Sequence, residues 1–242
     1  MGLFDLFGRS SKDKEAKRIR DLTKKAHEKY GDPAMRSRAL EGLRDIGTPE
    51  AIAALIQRFT VHLEPGITDA EEKEYVFGMV TGFGEKAVQP LVDFLRRSDS
   101  VAWALRCLEE LVPQDELVGI LTDLLHKLSQ EYARDPEKKV VLINRLVTIR
   151  DERIPKAVEP FLEDPSDEVV TAALTNLVEQ GSTSSAGAIA ACLVGAEAPR
   201  VRAGAAAALA DLGAPIEANR EEVQAKLPAG FQLGKDGVVR RA

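Results

Sequence analysis

The sequence predicts an all-α chain in which helix pairs stack into a solenoid. Three observations predict it. Apolar residues recur at steps of three and four along most of the chain. A pattern of three apolar anchors followed by a glycine returns about every 33 residues, a period typical of helix-pair repeats. No strand-like alternation interrupts residues 12–228, so a βαβ enzyme fold is not expected.

The first element is a short apolar peptide, residues 1–11, in which Leu3, Phe4, Leu6 and Phe7 are large apolar side chains at a terminus. Two readings stand side by side. The peptide folds back to cover the end of the first repeat, or it anchors in a groove of another protein or in a lipid interface. It does not resemble a secretory signal, because Asp5 splits the apolar run and the positive charges follow it. A cytoplasmic location is therefore expected. Leu6 stands where the myristoylation pattern needs Ser or Thr.

Residues 12–31 read as a basic amphipathic helix that caps the solenoid. Ala16, Ile19, Leu22, Ala26 and Tyr30 line one side, opposite Lys14, Lys17, Arg18, Lys24 and Lys25. The repeats follow over residues 32–228. The anchor pattern is clear at Leu40, Leu43, Ile46, Gly47, at Phe77, Val80, Phe83, Gly84 and at Ala206, Leu209, Leu212, Gly213. Fainter copies are Leu105, Leu108, Leu111, Val112, then Ile143, Leu146, Ile149, Arg150, then Leu174, Leu177, Gln180, Gly181. The glycine suits a left-handed helix C-cap.

Start signals precede each copy. Asp32-Pro33, Asp135-Pro136, Asp164-Pro165 and Ala198-Pro199 place Pro at or near a first helical turn, and Thr68-Asp69 and Ser98-Asp99 serve the other two. The second helices echo one another as Ala51-Ile52-Ala53-Ala54-Leu55, Ala87-Val88-Gln89-Pro90-Leu91 and Ala157-Val158-Glu159-Pro160-Phe161. A helix from Glu116 to about Arg134 is predicted to be longer than its counterparts. The end, residues 229–242, reads as a short hairpin about Asp236-Gly237 or as a tail packing through Phe231 and Leu233, the tail being preferred.

Helix pairs that open with Asp-Pro and turn through Asp45-Ile46-Gly47-Thr48-Pro49-Glu50-Ala51 resemble bacterial HEAT-like repeats, the type also found in phycobilisome lyases. The resemblance covers roughly residues 32–228. It implies a right-handed α-solenoid of about six HEAT-like helix pairs, with second helices lining the concave side. It specifies no single activity.

Charge excludes some functions. The net charge of -6 opposes phosphate attraction, so nucleic acid is not an expected partner, although residues 1–44 carry +5 and residues 45–242 carry -11. The two cysteines form no C-x-x-C and the three histidines no ligand pair, so no metal, cofactor or catalytic residue is expected. Certain alkylpurine DNA glycosylases share HEAT-like repeats, but Trp103 occupies the slot of Tyr75 and Val141 before an anchor, which repeat packing explains. Gly78 and Gly82 read as close helix packing rather than a phosphate loop.

A binding scaffold or adaptor for another protein is the leading expectation. Its contact residues would be Leu3, Phe4, Leu6 and Phe7 at the N-terminus, and Gln57, Gln89, Asp93, Arg96, Arg97, His126, Lys127 and Gln130 on the second helices. The alternatives are a bilin lyase or chaperone-like HEAT protein, implied only by the resemblance, and a peripheral adaptor making a weak membrane-surface contact through the N-terminus.

Overall fold

The computed structural model describes residues 3–130, 136–217 and 220–242, with side chains from Lys12 onward. Among these the chain is all-α, with thirteen helices and one C-terminal hairpin. It divides into two compact units, Met1–Leu117 and Val118–Ala242. The first holds α1 (Leu3–Ala26), α2 (Pro33–Ile46), α3 (Pro49–Ile56), α4 (Gly66–Thr81), α5 (Val88–Arg97), α6 (Ala102–Leu111) and the start of α7 (Gln114–Ser129). The second holds the rest of α7, then α8 (Glu137–Arg145), α9 (Arg153–Val158), α10 (Asp167–Gln180), α11 (Ala186–Gly195), α12 (Pro199–Leu212), α13 (Arg220–Lys226), β1 (Phe231–Leu233) and β2 (Val239–Arg241). From α2 to α13 twelve α-helices follow one another in chain order, with short 3-10 turns between some of them.

Three of the four repeating glycines do what their spacing predicts, whereas Gly84, left-handed at φ 58°, opens a 3-10 turn two residues after Gly82, which ends α4. Gly47, Gly181 and Gly213 end α2, α10 and α12 at φ 62°, 66° and 59°, the left-handed region that costs other residues about 1 kcal/mol or more. The copy with Arg150 in that slot solves the same problem differently. Carbonyls at the end of α8 are capped from the next repeat: Asn176 Nδ2 donates to Ile143 O at 2.9 Å, and Gln180 Nε2 donates to Leu146 O and Ile149 O at 3.2 and 2.6 Å. Gln180, the polar residue among the apolar anchors of its own copy, is thereby explained.

Several starts differ from the expected ones. Asp32 does cap α2, accepting from Ala34 N at 2.9 Å. Thr68 and Asp69, however, lie inside α4, which begins at Gly66, because the Asp69 side chain is drawn into buried ion pairs. Ser98 binds its own turn at Ser100 N instead of capping α6. Asp135 lies outside the described residues. Pro90 sits in the first turn of α5, whereas Pro160 follows α9 inside a 3-10 turn, Glu159–Glu163, since its missing N–H cannot extend an α-helix. The Glu116 helix is part of α7, and residues 131–135 of that expectation lie outside the described residues.

At the N-terminal end, α1 stops at Ala26 and leaves Tyr30 92% exposed, off the packed stripe it was expected to join. The next helix, opened by Asp32-Pro33, needs that turn. Ile19 and Ala26 are buried against α2 and α3, with Leu22 and His27 half-buried beside them. At the other end the hairpin forms, correcting the preference for a tail. Phe231 pairs with Arg241 and Leu233 with Val239 across the Asp236-Gly237 turn, and Val239 is fully buried against α12.

Polar contacts record the repeat period. Tyr75 Oη donates to Glu41 at 3.1 Å, Arg106 binds Glu74 at 2.6 and 3.0 Å, and Arg200 meets Asp167 at 3.2 Å, each joining first helices of neighbouring repeats. These pairs are exposed and screened by solvent, so they set register more than stability.

The first unit has a different kind of centre. Arg58 is fully buried and donates to Glu72 at 2.5 Å, to Asp69 at 2.9 Å and to the Val61 carbonyl at 2.9 Å. Arg36 reaches the other Glu72 oxygen at 3.1 Å, and Lys73 the other Asp69 oxygen at 2.7 Å. Leu63 N also donates to Asp69. The chain from Arg36 to Lys73 ties α2, the 3-10 turn after α3 and α4 together, with every charge paired.

Removing the central cation leaves two carboxylates short of a buried partner. Arg58→Met is expected to lose about 3 kcal/mol of stability in urea unfolding. Burial raises the Asp69 pKa, but hydrogen bonds from Lys73, Arg58 and Leu63 N outweigh it and hold the carboxyl below its ordinary value. Its stabilisation is thus present above the unfolded pKa, about 4, and is lost as pH falls through the lower folded one. Asp69→Asn should be less stable than wild type at pH 6, and the gap should narrow below about pH 4 in the same measurement.

Candidate binding groove between α3 and α5

Second helices of two neighbouring repeats, α3 and α5, pack side by side in the first unit. Between them runs an open groove of about 690 Å³. One wall is Glu50, Ala53, Gln57 and Thr60, and the other is Lys86, Gln89, Asp93 and Arg97. Gln57 and Thr60 stand in the 3-10 turn after α3 and Lys86 in the one before α5, and steps of three and four residues keep each set on one side. The floor carries Ala53, Pro90 and Phe94, and His27 closes one part of it from the end of α1.

Side chains in the groove are partly organised. Asp93 accepts from Gln89 Nε2 at 3.0 Å and from Arg96 Nη1 at 3.1 Å, two exposed contacts along α5. His27 is held differently. Burial lowers its pKa, opposed by the Ala54 backbone and reinforced by the Arg58 charge, so the surroundings favour the neutral ring. Its Nε2 is buried without a hydrogen-bond partner.

Four of the sequence-predicted contact residues, Gln57, Gln89, Asp93 and Arg97, therefore meet in one place. Arg96 is exposed next to them on α5 but does not line the groove. His126, Lys127 and Gln130 are exposed in the second unit and take no part in it. Leu3, Phe4, Leu6 and Phe7 lie in α1, and their side chains fall outside the described ones. Glu159, which echoes Gln89 in its own copy, is half-buried and accepts from Ser185 Oγ at 2.8 Å. The same helical steps, carried one turn back from Ala53 and Gln89, would have found Glu50 and Lys86. Nothing local could have found His27, which comes from a different element.

Neither cysteine lines the groove. Burial pushes the Cys107 thiol up to about 12 and the Cys192 thiol up to about 11. No group of three His, Cys, Asp or Glu is placed to hold a metal among the described residues. Trp103 stacks on Phe59 at 5.8 Å with Arg106 5.0 Å from its ring, a packing role. Gly78 corrects an expectation: a Cβ there would meet nothing within 4 Å, so close helix packing does not explain it. It lines a second, shallower hollow with Tyr75, Met79 and Phe83.

Residues 35–59, which span α2 and α3, match the family described as PBS lyase HEAT-like repeat. No curated protein matches the chain. The family match and the helix pairs together make this an all-α HEAT-like repeat protein.

The raised thiol values carry a consequence for labelling. At pH 8 only about one Cys192 thiol in a thousand is ionised, and fewer at Cys107. Mass spectrometry after brief iodoacetamide treatment should show both cysteines unmodified in the folded protein and both alkylated in urea.

Proposed function

We propose that this chain is a non-catalytic scaffold whose α3–α5 groove holds an extended segment of a partner protein. The observation that carries the reading is the lining of the groove. An extended segment presents backbone N–H and C=O groups alternately along its length. Gln57 and Gln89 each offer an amide donor and acceptor. Ala53, Pro90 and Phe94 supply apolar area beneath them. Glu50, Lys86, Asp93 and Arg97 alternate in sign, which favours a segment of mixed charge over a polyanion. Groove size and composition fall within the range of sites that bind ligands by shape and a few polar anchors.

The reading is tested with a partner isolated on the full-length protein. In calorimetric titrations, Gln57→Ala combined with Gln89→Ala should weaken binding roughly tenfold, since each lost hydrogen bond contributes about 0.5–1.5 kcal/mol. Glu71→Ala, exposed on α4, should leave affinity unchanged. Wild-type affinity in the double variant, with an unaltered thermal transition, would remove the groove from the binding surface.

A further inference from the structure

The helix α1 is longer than its support. It runs for 24 residues, about 36 Å at the usual helical rise. Among its described side chains, which begin at Lys12, the first buried one is Ile19, and every residue from Lys12 to Arg18 is exposed. Among the described side chains, those of α1 withdrawn from solvent beside α2 and α3 include Ile19, Leu22 and Ala26, in its last turns. Two turns or more of helix therefore have no protein beneath them among the described residues. An unsupported helix of this length is marginal in water, and its residues here include no compensating apolar stripe.

Its charge and tip indicate what lies against it. From Arg9 to Lys25 the sequence has eight Lys or Arg and three Asp or Glu. Upstream of them, four of the first five helical residues, Leu3, Phe4, Leu6 and Phe7, are large and apolar. Leu3, Phe7, Lys14, Arg18 and Lys25 follow one another at steps of four and seven, which places them on one face of the helix. That face is distinct from the one carrying Ile19, Leu22 and Ala26. An apolar tip continuing into a basic face matches the layers of a bilayer surface, acyl chains first and anionic headgroups above. It does not match the groove of a soluble protein as well, because eight cations on a projecting helix would need an equally acidic partner along the whole length. No helix among the described residues is long and apolar enough to cross a membrane, so contact through α1 would be peripheral.

We infer that the N-terminal part of α1 is a membrane-surface anchor for anionic lipid, seated through Leu3, Phe4 and Phe7 and held by Lys14, Arg18 and Lys25. The inference is independent of the groove reading. Neither the apolar tip nor the basic face suffices by itself, since one short apolar insertion binds reversibly and cations are screened beyond about 8 Å at physiological salt.

The test is flotation of the full-length protein with vesicles of phosphatidylglycerol and phosphatidylethanolamine, and in parallel with phosphatidylcholine vesicles. Wild type should float with the anionic vesicles at 50 mM salt, sink at 500 mM, and remain below the neutral vesicles throughout. Phe4→Asp with Phe7→Asp, and separately Lys14→Glu with Arg18→Glu and Lys25→Glu, should each lower partitioning about tenfold or more while the thermal transition stays unchanged. Gln57→Ala with Gln89→Ala should float like wild type. Failure of wild type to float with anionic vesicles at low salt overturns the inference. So does equal flotation with neutral vesicles, or flotation that both α1 variants retain.

Discussion

A HEAT-like helix pair has more apolar surface than its two helices cover between themselves, and everything else in this protein follows from that surplus. Leu40, Leu43, Ile52 and Leu55 are fully buried although they come from one pair, α2 and α3. They are covered from both sides, by α1 before them and by α4 and α5 after them. Each such side chain contributes about 1.5–3 kcal/mol when withdrawn from water. A pair without neighbours would forfeit much of that, which is why the repeats recur and why a capping helix precedes the first. The same geometry generates the groove. Second helices that lie side by side through their apolar stripes turn their polar stripes to a common surface, and Gln57 and Gln89 are consequences of stacking before they are contacts for anything.

Polar chemistry inside the stack follows the same logic of neighbours. Where a helix ends in a left-handed glycine, its last carbonyls are met locally. Where α8 lacks one, Asn176 and Gln180 of the next repeat supply the donors across a spacing of 33 and 34 or 31 residues. Arg58 does the corresponding work in the first unit, since the segment between α3 and α4 is held by the Val61 carbonyl and the Leu63 amide on either side of the Arg58–Asp69 pair. In the second unit Lys139 and Asp164 form a smaller pair at 2.7 Å, both nearly inaccessible. Buried charge of this kind contributes little net energy when complete and costs several kcal/mol when broken. Its effect is to make one register of neighbouring helices far better than the others.

Two surfaces remain outside this internal economy, and they differ in kind. The α3–α5 groove has mixed charges, paired amides and an apolar floor, whereas the free part of α1 is basic along its length with an apolar tip. A whole-chain net charge of -6 describes neither. A scaffold attached to an anionic surface through α1 would keep its groove available, because the side of α1 that meets α2 and α3 is the one already buried.

The amino-acid sequence by itself determined the helices, their pairing and their period. These depend on apolar spacing, Pro at helix starts and glycine at helix ends, all of which act within a few residues of themselves. It also determined that Gln57, Gln89, Asp93 and Arg97 share helical faces, since a face is a matter of spacing. Only the tertiary structure decided which faces adjoin, that His27 completes the groove, and that Thr68 and Asp69 belong inside a helix. It alone showed Arg58 to be a buried hub, where the sequence shows an ordinary arginine beside Gln57. The reason is common to all of these. An ion pair or a groove is made by residues far apart in the chain, and the energy that places them is the burial of other side chains, whose positions no local pattern records.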